Sequence, residues 1–137
     1  MKLLQKVQYI VIHCTDTPAG RPVTVADVDS WHRARDFECI GYHYLVYLDG
    51  SVHLGRSVRY QGAHCEAVNA CSIAVCYVGG RTSTDPRSWA DTRTPAQRAA
   101  LRTLVDELLR QHPGALVRGH RDFDPKACPC FDVRTAL

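Results

Sequence analysis

The stretch Val7-Gln8-Tyr9-Ile10-Val11-Ile12-His13-Cys14 decides the fold. Its β-branched and aromatic residues predict a buried strand over Val7–Ile12. The polar residues that follow, as far as Gly20, predict that the chain leaves this strand through a turn. His13 therefore stands just past the end of a strand, at what we expect to be an edge of a sheet.

Four further strands are predicted downstream. Tyr42–Leu48 ends in Asp49-Gly50 and is followed by a second short apolar run, a strong hairpin signal that predicts two antiparallel strands. Ser72–Val78 is rich in β-branched residues and closes at two glycines, which predicts another strand. Ala115–Arg118 fits a last short strand that leads into Gly119-His120.

Two helices are predicted between these strands. Thr24 is followed by Asp27 and by apolar residues at helical spacing to about Arg35, with Trp31 expected as the core anchor of the helix. Thr94-Pro95-Ala96-Gln97 combines an N-cap, a first-turn proline and a capping glutamine, and predicts a helix that ends near Gln111, its leucines in the core. We therefore predict an α/β (α+β) fold, with a single mixed central sheet of about five strands flanked by helices.

The composition is that of an ordinary globular protein. The chain has 137 residues, of which 45% are hydrophobic and 23% are charged, so we expect one domain over residues 1–137. Its 17 Lys and Arg residues against 14 Asp and Glu leave a net charge of only +3, which disfavours nucleic acid as the partner. The sequence contains no apolar run as long as a membrane span.

Seven cysteines cannot all pair in disulfides, and reduced thiols are typical of a cytosolic protein. The first residues carry charge but lack an apolar segment of signal-peptide length. We therefore expect the protein to be made and held in the cytoplasm.

Three potential metal ligands follow the ends of predicted strands. His13 follows the first strand, His120 follows the last, and Cys128 lies in the loop eight residues further on. Three such ligands with a fourth position left for water are typical of catalytic zinc, whereas structural zinc is closed by four protein ligands. From spacing alone, two surface-loop histidines and a buried thiol are an equal alternative.

Six motifs, spread over about residues 7–132, carry a resemblance to a known family. In chain order they are Val11-Ile12-His13-Cys14-Thr15, Gly41-Tyr42-His43-Tyr44, Gly62-Ala63-His64, Asn69 with Ser72-Ile73-Ala74-Val75, Thr94-Pro95-Ala96-Gln97, and Gly119-His120-Arg121-Asp122 through Pro125-Lys126-Ala127-Cys128-Pro129. They resemble the zinc-dependent N-acetylmuramoyl-L-alanine amidases, most of all the T7 lysozyme type, in the family that includes the peptidoglycan recognition proteins.

The resemblance implies roles for seven residues. The three zinc ligands would be His13, His120 and Cys128, with one Zn²⁺ per chain. Tyr42 and Lys126 match the catalytic side chains, and an amide hydrolysis does need a proton carrier and a cation near the developing oxyanion. The remaining two, His64 and Asn69, would contact the substrate.

Several positions depart from the family pattern and leave alternatives open. Cys130 could be a fourth ligand, which would make the zinc site structural. Cys76 occupies the place where some relatives carry a glutamate base, which shifts proton handling toward Tyr42. Cys65 and Cys71 replace other residue types, and a disulfide between them is conceivable.

The sequence is thus expected to encode a zinc amidase that lyses peptidoglycan, cleaving between N-acetylmuramic acid and L-alanine, as a phage endolysin does. We expect a monomer, held in the cytoplasm until a membrane lesion gives it access to the cell wall. One alternative is a peptidoglycan-binding protein without turnover. A second is a regulator that contacts RNA polymerase, which rests on the family resemblance alone. A third is a cysteine hydrolase that uses Cys14 or Cys76.

Overall fold

The computed structural model describes all residues from Met1 to Leu137. The chain forms three α-helices and seven strands. The strands are β1 (Tyr9–Cys14), β2 (Thr17–Pro18), β3 (Tyr44–Val46), β4 (Val52–Leu54), β5 (Ser72–Tyr77), β6 (Gly80–Arg81) and β7 (Leu116–Gly119). The helices are α1 (Val25–Arg33), α2 (Pro95–Gln111) and α3 (Val133–Ala136).

Five strands form the central sheet in the order β4-β3-β5-β1-β7. The strand β1 pairs in parallel with both β5 and β7, and β3 pairs in parallel with β5. The hairpin strands β3 and β4 are antiparallel, so the sheet is mixed. The predicted mixed sheet of five strands flanked by helices is confirmed. The two-residue strands β2 and β6 and the short helix α3 lack a periodic signal and were not predicted.

The core lies between the sheet and the long helix α2. Ile10 and Ile12 of β1 pack on the same side of the sheet as Val75 of β5, against Leu101 and Leu108 of α2. This burial confirms that the leucines of α2 face the core. The helix begins as predicted, because Thr94 and Gln97 form a reciprocal capping box. None of the three helices combines the length and the apolar character required to cross a bilayer.

The helix α1 presents a different face to the core than the sequence predicted. Trp31 is 45% exposed, whereas Val28 and His32, four residues apart, are the buried residues of the helix. His32 is held inward because its Nδ1 accepts a hydrogen bond of 2.8 Å from the backbone N–H of Gly41. The prediction that Trp31 anchors the core is therefore wrong; this side chain instead lines the cavity described below.

The buried His32 makes the stability of the protein depend on pH. Burial lowers the pKa of His32 to about 4; the charges of Arg35 and Arg56 add to this shift, and Asp29 opposes it. An unfolded histidine takes up its proton near pH 6.5. Between pH 6.5 and pH 4 the unfolded chain therefore binds more protons than the folded chain, and the free energy of unfolding decreases as the pH falls.

We expect His32→Gln to reduce this pH dependence, since glutamine offers a hydrogen-bond acceptor but does not titrate. Urea unfolding of the metal-free protein at pH 7 and pH 5 measures the effect. The histidine accounts for at most about 1.4 kcal/mol per pH unit. If the variant lost as much stability as the wild type on acidification, His32 would not be the source.

Candidate active site

The sheet brings His13 and His120 together. Ile12 of β1 lies opposite Gly119 of the parallel neighbour β7, and each is followed directly by a histidine. The two imidazole rings are consequently adjacent, with centroids 4.6 Å apart. The strand β1 runs two residues further than predicted, so His13 lies within its last two residues and is buried.

Cys128 reaches the same edge because the following turn packs closely on β7. A Cβ atom on Gly119 would lie 2.8 Å from Cδ of Pro129, so only glycine allows this approach. The Cys128 sulfur accepts a hydrogen bond of 3.3 Å from the Cys14 backbone N–H. Cysteine binds metals through its deprotonated sulfur.

Hydrogen bonds assign the tautomer of His13. The Ser72 hydroxyl donates its only proton to the Val68 carbonyl at 2.7 Å, so it must accept from His64 Nε2 at 3.0 Å. The other ring nitrogen of His64, Nδ1, therefore accepts from His13 Nε2 at 2.8 Å. This series of hydrogen bonds leaves the lone pair of His13 on Nδ1, which lies 3.8 Å from the Cys128 sulfur.

His120 is oriented in a similar way by a carboxylate. Its Nε2 lies 2.7 Å from Oδ2 of Asp124 and donates to it, which leaves Nδ1 of His120 as the free ring nitrogen. A carboxylate that accepts from the far nitrogen of an imidazole is a common support of metal-binding histidines. Asp124 was not among the predicted site residues, although a carboxylate four residues after a candidate ligand was a usable signal.

The histidines are held in their neutral forms. Burial lowers the pKa of His13 well below its usual value, and the neighbouring His64, His120 and Lys126 add to the shift. Burial also lowers the pKa of His64 to about 3. The pKa of His120 is lowered by burial and by Lys126, against the opposing effect of Asp124. Neutral imidazoles can donate their lone pairs to a metal.

His13, His120 and Cys128 thus form a group that could hold a metal ion, with one donor atom from each lying within 4.8 Å of the others. Tetrahedral zinc with ordinary bond lengths would place a sulfur and a nitrogen ligand about 3.5 Å apart. The observed separation of 3.8 Å between Cys128 and His13 is close to this value. The donor types and their spacing therefore fit zinc.

Cys130 does not join this group. Its thiol donates to the Gly80 carbonyl at 3.3 Å and lies 3.8 Å from the sulfur of Cys14. The group therefore has three protein donors rather than four, as expected of a catalytic site. Cys65 and Cys71 are also free thiols, so the conceivable disulfide between them is absent.

Tyr42 and Lys126 line the cavity above the three donors. Two connected lobes, of about 650 Å³ and about 610 Å³, share these two side chains together with His120. The Tyr42 ring packs beside that of His13, with centroids 5.1 Å apart. Burial raises the pKa of Tyr42 well above its usual value, and nearby thiols add to the shift, so its hydroxyl keeps its proton at neutral pH.

His64 and Asn69 also line the first lobe, but both are engaged by the protein. The two ring nitrogens of His64 face His13 and Ser72. The Asn69 side-chain oxygen accepts from the backbone N–H groups of His64 and Cys65 at 3.0 and 2.9 Å, which fixes the turn that carries His64. Their predicted contacts with substrate stay predictions, to which the structure adds a supporting role.

The thiols proposed for a cysteine hydrolase are poorly suited to nucleophilic attack. Burial raises the pKa of Cys76 well above its usual value. The pKa of Cys14 is also raised, first by its hydrogen bond with Cys128 and further by burial. Because the thiolate is the reactive form of cysteine, both residues are expected to be inert at neutral pH.

Comparison with known sequences places this arrangement in a family. The sequence profile described as N-acetylmuramoyl-L-alanine amidase matches residues 3–131. The chain is 38% identical over 131 residues to the endolysin of Klebsiella phage KP32, with 95% of this chain and 85% of that protein covered. It is 37% identical over 134 residues to the endolysin of Escherichia phage T7, with coverage of 97% and 87%.

Solved structures agree with the sequence comparison. The Ph2119 endolysin from the Thermus scotoductus MAT2119 bacteriophage superposes with a TM-score of 0.74 at 29% identity, covering 91% of this chain and 78% of that one. The N-acetylmuramoyl-L-alanine amidase LysC from Clostridium intestinale has a TM-score of 0.79 at 23% identity, with coverage of 96% and 86%, which shows a shared fold.

Proposed function

Because this chain belongs to the N-acetylmuramoyl-L-alanine amidase family, we propose that it cleaves peptidoglycan with a zinc ion held by His13, His120 and Cys128. The family defines the reaction as hydrolysis of the amide between N-acetylmuramic acid and the L-alanine of the stem peptide. The observation that carries the zinc proposal is the agreement between two independent hydrogen-bond networks, which leave Nδ1 free on both histidines, with Nδ1 of His13 3.8 Å from the Cys128 sulfur.

A bound zinc ion would supply a Lewis acid and lower the pKa of a water molecule at the site. The residues around it then position and stabilise the reacting groups. Lys126 adds a positive charge close enough to His13 and His120 to lower the pKa of both imidazoles. We assign to its ammonium group the stabilisation of the negative charge that develops on the carbonyl oxygen of the scissile amide.

Tyr42 is assigned to proton handling. Its hydroxyl can accept a hydrogen bond from the attacking water while donating its own proton, which it retains at neutral pH. As the water oxygen bonds to the carbonyl carbon, the carbon–nitrogen bond breaks and the leaving nitrogen takes up a proton. The products are the lactyl carboxylate on the sugar and the free amino group of the stem peptide.

The proposal also covers the domain organisation, the oligomeric state and the storage of the protein in the cell. We infer that residues 1–137 act as one catalytic domain, as a monomer, in an endolysin that is stored in the cytoplasm before it reaches the cell wall. The similarity to two phage endolysins over most of their length supports this role.

Mass spectrometry of purified peptidoglycan after incubation with the protein tests the proposal. The protein as purified should release free stem peptides and leave the glycan strands intact. Treatment with a chelator should abolish the release, and added zinc should restore it. Zinc-loaded protein that releases no peptide from any wall type would instead favour a binding role without turnover.

The carboxylate of Asp124 should contribute to zinc affinity. We expect Asp124→Ala to weaken zinc binding roughly 10- to 100-fold, which is typical when the hydrogen-bond partner of a ligating histidine is removed. Competition with a chromophoric chelator measures the change. Glu66→Ala is the matched control, because Glu66 lines the same lobe but has no hydrogen bond with His120. Equal zinc affinity in the two variants would contradict this role.

A further inference from the structure

Both tryptophans of the protein line one lobe of the active-site cavity. The chain contains only Trp31 and Trp89, and these side chains are 45% and 51% exposed. Both line the second lobe, of about 610 Å³, and neither lines the first. Tryptophan is usually largely buried, and exposed apolar surface beside a cavity is typical of a binding site. Packing of the core therefore does not explain this pair of side chains, whereas binding of a ligand does.

The fold fixes the backbone under each tryptophan. Trp31 belongs to α1, where the next residue, His32, is held inward by its hydrogen bond with the backbone of Gly41. Trp89 pairs with Arg81 of β6 in an isolated antiparallel bridge. Large, stiff side chains on a fixed backbone lose little conformational entropy when a ligand packs on them. The two indoles are therefore suited to serve as stacking surfaces.

The faces of the two indoles are free, unlike the face of the phenylalanine in the first lobe. The Phe37 ring packs against that of His32, with centroids 4.9 Å apart, and the Arg35 guanidinium lies over it at 5.0 Å. Neither Trp31 nor Trp89 stacks on an aromatic ring or a cation of the protein. Only the second lobe thus offers uncovered aromatic faces.

A sugar ring has the chemistry that suits this lobe. The C–H groups on its faces carry a slight positive charge and pack against the electron-rich face of an indole. Its hydroxyl groups need polar partners, and Asp16 lines the same lobe. Arg81 donates to both oxygens of Asp16, at 2.6 and 2.5 Å, which fixes the carboxylate. A carboxylate accepts about four hydrogen bonds, so Asp16 can also accept from sugar hydroxyls.

The residues assigned to catalysis lie where the two lobes meet. Tyr42, His120 and Lys126 line both lobes. The amide that the proposed reaction breaks joins a sugar to a peptide, so a substrate bound for cleavage extends its sugar into one lobe and its peptide into the other. The first lobe contains the carboxylates of Glu66 and Asp124 and no tryptophan, which suits the charged groups of a peptide better than the face of a sugar.

We propose that the second lobe binds the glycan strand of peptidoglycan, with sugar rings stacked on Trp31 and Trp89, and that the first lobe receives the stem peptide. This assignment rests on the proposed amidase function, because that reaction determines which bond lies where the lobes meet. Trp31 and Trp89 are then specificity-determining residues for the sugar part of the substrate, although neither takes part in the chemical step.

Tryptophan fluorescence tests the assignment directly, because both tryptophans of the chain line this lobe. Soluble glycan strands of peptidoglycan, stripped of their peptides, should shift the emission to shorter wavelength in a saturable way as they cover the exposed indoles. Free stem peptide should cause no such shift. Trp31→Phe and Trp89→Phe each leave a single tryptophan, and both variants should still show the shift, since phenylalanine keeps an aromatic face.

Alanine variants measure the contribution of each indole. We expect Trp31→Ala and Trp89→Ala each to raise the Kd for the stripped glycan strands roughly 2- to 10-fold, the range for loss of one aromatic stacking partner. Calorimetry measures this Kd without depending on the indole that was removed. Leu54→Ala is the matched control, because Leu54 is an exposed apolar residue of the edge strand β4 that lines neither lobe. It should bind glycan as the wild type does.

Peptide release from peptidoglycan gives a second readout. In the two alanine variants KM should rise while kcat changes little, because stacking on the sugar acts alike on the bound substrate and on the transition state.

Three results would overturn the assignment: no shift of the emission with glycan strands, wild-type glycan affinity in both alanine variants, or a shift caused by the stem peptide alone. The binding measurements do not require turnover. Glycan binding that depends on the two tryptophans, in a zinc-loaded protein that releases no stem peptide, would support the glycan site and contradict the amidase proposal instead.

Discussion

Replacing Cys128 with serine is expected to remove bound zinc and, with it, the release of stem peptides. The Cys128 sulfur is the only thiol among the three donors His13, His120 and Cys128, and a neutral hydroxyl is a far weaker zinc ligand than a thiolate. Loss of an outer partner costs roughly 10- to 100-fold in metal affinity, so loss of a direct ligand should cost more than this. Zinc content after dialysis and peptide release on the same sample measure the two effects.

Cys130→Ser provides the control for this variant. Cys130 is two residues away in the same turn, but its thiol faces Gly80 and Cys14 rather than the two histidines. We expect this variant to retain both zinc and activity. Loss of zinc from Cys130→Ser with retention in Cys128→Ser would exchange the roles of the two cysteines.

The second large effect is expected from Lys126→Ala. If the ammonium group stabilises the charge on the carbonyl oxygen, its removal should lower kcat roughly 100- to 1,000-fold, the range found for single oxyanion-stabilising groups. Zinc content should remain unchanged, because Lys126 is not one of the three proposed zinc ligands. Initial rates of peptide release, normalised to bound zinc, measure the effect.

Two further substitutions test whether the positive charge at position 126 is responsible for the effect of Lys126→Ala. Lys126→Arg keeps the positive charge and should restore part of the rate. Arg121→Ala removes the same charge from an exposed side chain that lines neither lobe, and it should leave the rate unchanged. A full rate in Lys126→Ala would remove this residue from the mechanism and leave Tyr42 as the main candidate, which Tyr42→Phe would then examine.

Local sequence patterns predicted most of the fold. The hairpin around Asp49-Gly50, the capping box at Thr94 and the apolar run before His13 depend on residues close in the chain, and all three elements form. Trp31 shows where such reasoning fails. Its spacing fits an apolar helical face, but His32 is the residue held inward, by a hydrogen bond with the backbone of Gly41 beyond the end of the helix.

The residues of the candidate site likewise include some that the sequence predicted and some that it did not. Family resemblance supplied His13, Tyr42, His120, Lys126 and Cys128, and strand register explains why the two histidines meet. The supporting network of His64, Ser72 and Asp124 was not predicted, since hydrogen bonds between side chains depend on rotamers and on segments far apart in the chain. The same is true of the hydrogen bond that the Cys65 thiol donates to Asp124.

The sequence by itself determined the type and order of the five strands of the central sheet and of the two longer helices. It also showed which residues with metal-binding side chains stand at the ends of those strands. These properties depend on local propensity and on periodic burial, which neighbouring residues encode. Only the tertiary structure decided which nitrogen of each histidine is free, which cysteine faces the histidines, and which face of α1 is buried. The position of Cys128 beside His13 and Cys14, for example, joins residues 115 and 114 positions apart at distances of a few ångströms, and only packing sets such distances.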